Sequence, residues 1–168
     1  MGGPEIGVKL GREVSGWIDE RFAFWGRDSV TKHAALLDYV MPCWLTCRAG
    51  GEVEEPPASV RASLTDLCLA NRVGIMPLIA GAPEQVRTVI RDTAKRQAHI
   101  RQLLRFAQEY NWLGVDVDYE FLPENERDAF SRFMAELGAA FHRRNKLVSV
   151  DLHPKVRPDD PWSSGARA

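Results

Sequence analysis

Five short apolar runs, separated by stretches of helical length, constrain the fold of this chain more than any other feature. We predict strands at Glu13–Ile18, Val40–Cys47, Val73–Ile79, Leu113–Glu120 and Lys146–Leu152. Strands that alternate with crossover-length helices favour a parallel sheet. A closed (β/α) barrel has eight strands and about 250 residues. We therefore expect an α/β fold that is either a small open sheet or, as we prefer, an incomplete parallel TIM-barrel type with about five of the eight strands.

The predicted helices fill the segments between these strands. They run from Ser29 to about Tyr39 with Asp28 as N-cap, from beyond Pro57 to about Asn71, across Pro83–Tyr110 as two helices, and over Glu124–Asn145. Proline is awkward inside a sheet because it lacks a backbone N–H. Pro42 and Pro77 therefore weaken the second and third predicted strands.

Composition bounds the domain organisation and the class of partner. With 168 residues, 45% of them hydrophobic and 27% charged, the chain suits one globular domain. We expect residues 1–168 to form that domain, with 1–12 and 153–168 as loops or frayed ends. The net charge of −1 gives no general attraction to nucleic acid or to an anionic membrane, so we predict no nucleic-acid partner.

The sequence carries no recognisable signal for membrane insertion, export or disulfide formation. No apolar run approaches the roughly 18 residues of a membrane span. The start, Met1–Ile6, lacks the apolar region of a secretory signal. Three cysteines are an odd number without zinc-type pairing, which argues against a disulfide framework. We therefore predict neither a membrane span nor a disulfide scaffold.

The chemistry is concentrated in Asn111–Glu120, where three carboxylates alternate with other side chains. Residues i, i+2 and i+4 of a strand share a face, so Asp116, Asp118 and Glu120 project together, roughly 7 Å apart per step. Like charges at this spacing resist simultaneous ionisation, and at least one pKa should be raised, as a general acid requires. Glu120 ends the strand, where barrel active sites lie, and we assign it the acid role.

Two other interpretations of the acid strand stay open. Alternating acids on an isolated strand are often a solvated face. A divalent-metal site is also possible, because hard oxygen ligands suit Mg²⁺ or Ca²⁺, and such an enzyme would lose activity with a chelator. The flanking helices and the tight Leu113-Gly114 start fit a central parallel strand better than an edge strand.

Leu113–Glu120 resembles the signature strand of glycoside hydrolase family 18, usually written D-G-x-D-x-D-x-E, with Leu113 in place of the first Asp. Glu120–Phe130 resembles the start of the following helix in bacterial, spore-hydrolase-like members. Lys146–Lys155 resembles their next strand, and Ser15–Trp17 their first. The third strand, by contrast, lacks the S-x-G-G pattern of the family. The resemblance thus touches most of the chain, from about residue 13 to 155.

The resemblance implies roles for the three acids. Glu120 matches the general acid/base, Asp118 the acid that orients the N-acetyl group of the substrate, and Asp116 the acid that hydrogen-bonds Asp118. The implied reaction is substrate-assisted retaining hydrolysis of β-linked N-acetylglucosamine-containing polysaccharide, chitin-like or peptidoglycan. It needs neither a metal nor a cofactor. Family members often work outside the cell or in its envelope, which is the compartment that the resemblance implies.

Further residues are candidates for substrate contact. Trp17 and Trp44 lie on predicted strands, and their flat rings suit pyranoses. Asp151 and His153 share a face of the fifth strand, beside the acid strand. Tyr119, between two of the acids, completes the predicted substrate-binding set.

Alternatives to an active glycosidase follow from the predicted half-barrel. Members of the family place further sugar-site residues on later strands than the five predicted here. A catalytically inactive carbohydrate-binding relic, or a truncated fragment of such an enzyme, is therefore the alternative function. Five strands also leave two sheet edges exposed, and exposed edges invite pairing, so a homo-oligomer is a possible partner state.

Overall fold

The computed structural model describes residues 12–19, 21 and 23–152. The strands are β1 Ser15–Ile18, β2 Tyr39–Cys47, β3 Val53–Glu54, β4 Gly74–Ile75, β5 Leu78–Gly81, β6 Gly114–Asp118 and β7 Leu147–Val150. The helices are α1 Ala23–His33, α2 Ala58–Asn71, α3 Pro83–Arg91, α4 Thr93–Glu109 and α5 Arg127–His142, with a 3₁₀ turn at Glu124–Glu126. The ends predicted as loops, apart from Arg12, lie outside the described residues.

The main path of the sheet runs β1-β2-β5-β6-β7, and all neighbours on this path are parallel. Of the two short strands, β3 pairs antiparallel with β2, and β4 pairs parallel with β2. Helices connect the parallel strands, as the crossover connections of such a sheet require. The predicted α/β fold with a parallel sheet is confirmed, and the described strands do not close into a barrel.

The prolines in the second and third predicted strands have different effects. The third predicted strand divides into β4 and β5 at Met76-Pro77, because proline cannot donate a hydrogen bond to the neighbouring strand. Pro42, in contrast, stays inside β2. The Val40 carbonyl accepts the Met76 N–H at 2.9 Å, and Pro42 faces the same side two residues on. The nitrogen of Pro42 therefore points to the gap between β4 and β5, where no strand needs a hydrogen bond from it.

The first helix differs from the prediction. It spans Ala23–His33, so it begins six residues before Ser29 and ends before Tyr39, which starts β2. Asp28 is inside the helix instead of capping it, and its carboxylate accepts from Lys32 Nζ at 2.6 Å. The other predicted helices are confirmed to within a few residues, including the division of Pro83–Tyr110 at Asp92.

The core lies between the outer face of the sheet and the helices. Fully buried side chains from both layers meet there, including Ile79, Val117, Phe133, Leu137 and Phe141. Burial of each such side chain contributes roughly 1.5–3 kcal/mol. This packing leaves the opposite face of the sheet to carry polar groups. None of the described helices is both long and apolar enough for a membrane crossing.

A buried carboxylate fastens the segment that follows β6. The Glu126 side chain is 1% exposed and accepts from Arg87 Nε at 2.8 Å and from Arg91 Nε at 2.9 Å. Both arginines belong to α3. A buried charge is tolerated only when it is paired in this way. The ion pairs thus hold the 3₁₀ turn after the acid strand against α3.

Candidate active site

Strand β6 divides its side chains between the two faces of the sheet, as the alternation predicts. Val117 and Tyr119 are fully buried on the helix side. Asp116 and Asp118 lie on the opposite face, and Glu120 follows the end of the strand. The predicted common face of the acids is the one away from the helices. Parallel pairing with β5 and β7 makes β6 an inner strand, as the flanking helices and the Leu113-Gly114 start favour.

Asp116 is anchored between two strands. Its Oδ2 accepts from Trp17 Nε1 of β1 at 2.9 Å, and its Oδ1 accepts from Ser149 Oγ of β7. The residue is 1% exposed, and each carboxylate oxygen has a hydrogen-bond donor, which offsets the cost of burial. Asp116 is therefore a fixed buried group behind the cavity.

Asp118 and Glu120 open into a cavity at the carboxyl ends of β6 and β7. The cavity measures about 190 Å³ and is lined by Asp118, Glu120, Asp151 and Leu152. The Asp151 N–H donates to the Val117 carbonyl at 2.9 Å, which extends the pairing of β7 with β6 beyond its last residue. The structure thus brings the predicted Asp151 beside the two acids. Three carboxylates around one opening suit acid–base chemistry on a hydroxyl- or amide-rich ligand.

A larger cavity of about 330 Å³ lies between α4 and α5, with Ile100, Arg101, Ala140 and Arg143 among its lining residues. It lies on the outer helical surface and includes none of the predicted site residues. Size alone does not identify a reaction site, whereas converging titratable groups do. We therefore place the candidate site at the smaller cavity.

The backbone turns sharply after Glu120. Phe121 has φ of 59°, in the left-handed region that non-glycine residues seldom adopt, and its side chain is 56% exposed. Leu122 next to it is fully buried. Such strained residues persist only where the surrounding structure holds them, and they concentrate at functional sites. The turn carries the chain out of the strand directly behind the acid.

Sequence reasoning missed two residues of this site. Ser149 shares the strand face of Asp151, and the same period-two argument would have found it. Phe121 left no comparable signal, because its backbone angle depends on packing around the turn. Both were identified only from the structure.

Of the three aromatic residues predicted to contact substrate, Trp17 is exposed, whereas Trp44 and Tyr119 are buried. Trp17 is 60% exposed on the face that carries Asp116. Trp44 is buried on the helix side, 6.1 Å from the ring of Trp112, because it shares a face of β2 with the core residue Val40. Tyr119 is fully buried as well. Rings enclosed in the core cannot contact a polysaccharide.

His153 lies outside the described residues. Among residues 12–19, 21 and 23–152, no three His, Cys, Asp or Glu side chains converge closely enough to hold a metal ion. The carboxylates of the described site can act as proton donors and acceptors.

The comparisons with known proteins agree with each other. A family model described as Glycosyl hydrolases family 18 matches residues 50–165. The cortical fragment-lytic enzyme of Bacillus subtilis (strain 168) is 22% identical over 126 residues, covering 71% of this chain and 28% of that protein. The similarity is therefore to part of a longer enzyme.

Solved structures share the fold. The spore cortex-lytic enzyme SleL of Bacillus megaterium QM B1551 superposes with a TM-score of 0.77 at 21% identity, over 88% of this chain and 36% of that chain. A class V chitinase from Pseudomonas fluorescens Pf-5 superposes with a TM-score of 0.79 at 17% identity. The match covers 87% of this chain and 47% of that chain. This chain spans about half the length of such relatives or less.

Proposed function

Since this chain belongs to glycosyl hydrolases family 18, we propose that it hydrolyses β-linked N-acetylglucosamine-containing polysaccharide, chitin-like or peptidoglycan. The observation that carries the proposal is the shared opening of Asp118 and Glu120 at the carboxyl end of β6, with Asp116 anchored behind them. Active sites of barrel enzymes occupy this end of the strands. The similarity to spore cortex-lytic enzymes supports peptidoglycan, and the similarity to chitinases supports chitin.

The proposed mechanism is substrate-assisted and retaining. Glu120 gives its proton to the glycosidic oxygen as the bond to the anomeric carbon breaks. The acetamido oxygen of the substrate attacks that carbon and forms a cyclic oxazolinium ion. Water then adds to the anomeric carbon, reopens the ring and returns a proton to Glu120. Atoms and charge balance without a cofactor.

Two further acids assist this sequence. Asp118 lines the same cavity as Glu120, which supports a role for its carboxylate in orienting the acetamido N–H and stabilising the positive ring. Asp116, fixed by Trp17 and Ser149, is the proposed supporting carboxylate behind Asp118. Preorganised charge of this kind stabilises a developing cation more than water does. Asp151 and the exposed Trp17 are the proposed substrate contacts at the rim.

The substrate requirement tests this mechanism. We expect release of fluorophore from an N-acetylchitooligosaccharide conjugate, and no release from the same oligomer after removal of its acetyl groups, because the acetamido oxygen is the nucleophile. Added chelator should leave turnover unchanged. Equal hydrolysis of both oligomers, or loss with chelator, would contradict the proposal. Oligosaccharide binding without turnover, unaffected by Glu120→Gln, would indicate the carbohydrate-binding alternative instead.

We also propose that the outer edge of β7 pairs with a strand of a second copy. The Leu147 and Asp151 N–H groups donate to β6. By strand alternation, the N–H groups of Val148 and Val150 point to the opposite edge, where no described strand pairs. Leu147–Val150 carries no charged side chain of the kind that protects edges from pairing.

Light scattering after size-exclusion chromatography tests this pairing. We expect the apparent mass to rise with concentration, and Val148→Pro to shift the equilibrium toward monomer, because proline removes an edge donor but leaves the β6 ladder intact. Val148→Ala is the matched control, since it shortens the same side chain and keeps the N–H. A wild-type chain that stays monomeric at all concentrations, or equal association of both variants, would refute the pairing.

A further inference from the structure

A buried polar chain lies on the helix side of β6, directly behind the cavity acids. The Tyr119 hydroxyl is 2.6 Å from Nε2 of His99, and Nδ1 of His99 is 2.7 Å from the Gly51 carbonyl. Both side chains are fully buried. Tyr119 stands between Asp118 and Glu120 in the sequence. Because peptide units are rigid, a rotation of the backbone at Tyr119 moves both neighbouring acids.

The partners of His99 determine where its hydrogen lies. A carbonyl oxygen only accepts, so Nδ1 must carry the hydrogen that is donated to Gly51. In the neutral ring Nε2 then has a lone pair, and the Tyr119 hydroxyl donates to it. Burial lowers the pKa of His99 and raises the pKa of Tyr119 well above its ordinary value, which keeps both groups neutral. The hydrogen bonds therefore run in one direction, from Tyr119 through His99 to Gly51.

The far end of this chain is itself held in place. Gly51 has φ of +92°, which glycine adopts without strain, and it lies in the turn between β2 and β3. Its carbonyl also accepts from Gln102 Nε2 at 3.3 Å. His99 and Gln102 are three residues apart on α4, so one face of this helix holds the turn. These hydrogen bonds thus link three parts of the fold: the end of β6, α4 and the β2–β3 turn.

We propose that Tyr119 and His99 are positioning residues, which fix the rotation of the end of β6 so that Asp118 and Glu120 face the cavity. The hydrogen-bonded part of β6 ends at Asp118. Phe121, whose backbone is in the left-handed region, comes directly after Glu120. Tyr119, between these two acids, is buried, and its hydroxyl is hydrogen-bonded to His99 of α4. The inference rests on the proposed glycosidase function, because it assigns a task to residues behind that site.

The test compares variants of the full chain that remove hydrogen bonds and keep the core filled. Tyr119→Phe removes the hydroxyl and retains the ring. His99→Leu removes both hydrogen bonds, and His99→Gln restores an amide that can accept and donate. We expect kcat on an N-acetylchitooligosaccharide conjugate to fall about tenfold or more in Tyr119→Phe and His99→Leu, with KM within about twofold, because small misplacements of reacting groups are costly. His99→Gln should recover part of the loss.

Leu137→Ala controls for stability alone. Leu137 is fully buried in the same helix layer, so its truncation destabilises the fold but removes none of these hydrogen bonds. We expect this variant to keep the wild-type kcat well below its melting temperature. If Tyr119→Phe and His99→Leu behave like Leu137→Ala, with lower stability and unchanged kcat, the two residues are only structural and the proposal is wrong.

A second measurement does not depend on turnover. Carboxyl ¹³C chemical shifts of Asp118 and Glu120, measured by NMR, should change in Tyr119→Phe, since a rotated strand end alters the surroundings of both acids. Leu137→Ala should leave them unchanged. Absence of turnover in the wild-type chain would count against the proposed function, and the chemical shifts would still decide the positioning role. Identical chemical shifts in all variants would overturn it.

Discussion

Replacement of Glu120 by glutamine is expected to reduce turnover of an N-acetylchitooligosaccharide conjugate about a thousandfold, within the range that general acid–base catalysis contributes. The amide has nearly the shape of the acid but cannot donate a proton to the glycosidic oxygen or accept one from water. Because binding contacts at the cavity remain, KM should change little. An interaction made only in the transition state behaves in this way when it is removed.

Glu124→Gln is the matched control for this experiment. Glu124 is an exposed glutamate four residues further along, in the 3₁₀ turn, so the same chemical change is made outside the cavity. We expect Glu124→Gln to retain full turnover. Circular dichroism of both variants should match that of the wild type. An active, folded Glu120→Gln variant would exclude Glu120 as the acid/base.

Glu126→Ala is expected to lower the free energy of unfolding by about 3 kcal/mol, which is at the low end for breaking a buried ion pair. The carboxylate is buried, whereas Arg87 and Arg91 are 27% and 52% exposed. The arginines can turn to solvent when the carboxylate is lost, which limits the cost. Urea unfolding followed by tryptophan fluorescence measures the change. Glu124→Ala, on the exposed side of the same turn, should stay within about 0.5 kcal/mol of wild type.

The same ion pairs give the wild type a pH dependence. Burial acts to raise the pKa of Glu126, but the hydrogen bonds from Arg91 and Arg87 outweigh it and hold the pKa below its usual value of 4.5. The unfolded chain therefore binds the proton more readily than the folded chain. The stabilisation is present above pH 4.5 and is lost as the pH falls through the lowered pKa. Equal acid sensitivity in Glu126→Ala would contradict this assignment.

The alternation of residue types in β6 was sufficient to predict which side chains share a face. Apolar and acidic residues alternate with period two, and only one arrangement buries Val117 and keeps Asp116 and Asp118 away from the helices. The parallel order followed in the same way, since helix-length segments separate the apolar runs. Local patterning of this kind is encoded in neighbouring residues, and it can be inferred without coordinates.

The errors occurred where distant residues decide the outcome. Trp44 is on a predicted strand, but it shares its side of β2 with Val40, and helices cover that side. Asp28 has the chemistry of an N-cap, yet α1 begins before it and uses it in an ion pair with Lys32. Propensity is a weak prior in both places, because packing against other elements outweighs it.

The sequence by itself determined the fold class, the parallel sheet and the common face of Asp116, Asp118 and Glu120, because these follow from periodicity and spacing along the chain. Only the tertiary structure decided that Trp17 and Ser149 hold Asp116, and that His99 holds Tyr119. Trp17 is 99 residues from Asp116 along the chain. Contacts at such separations arise from how strands and helices pack, and no local pattern records them.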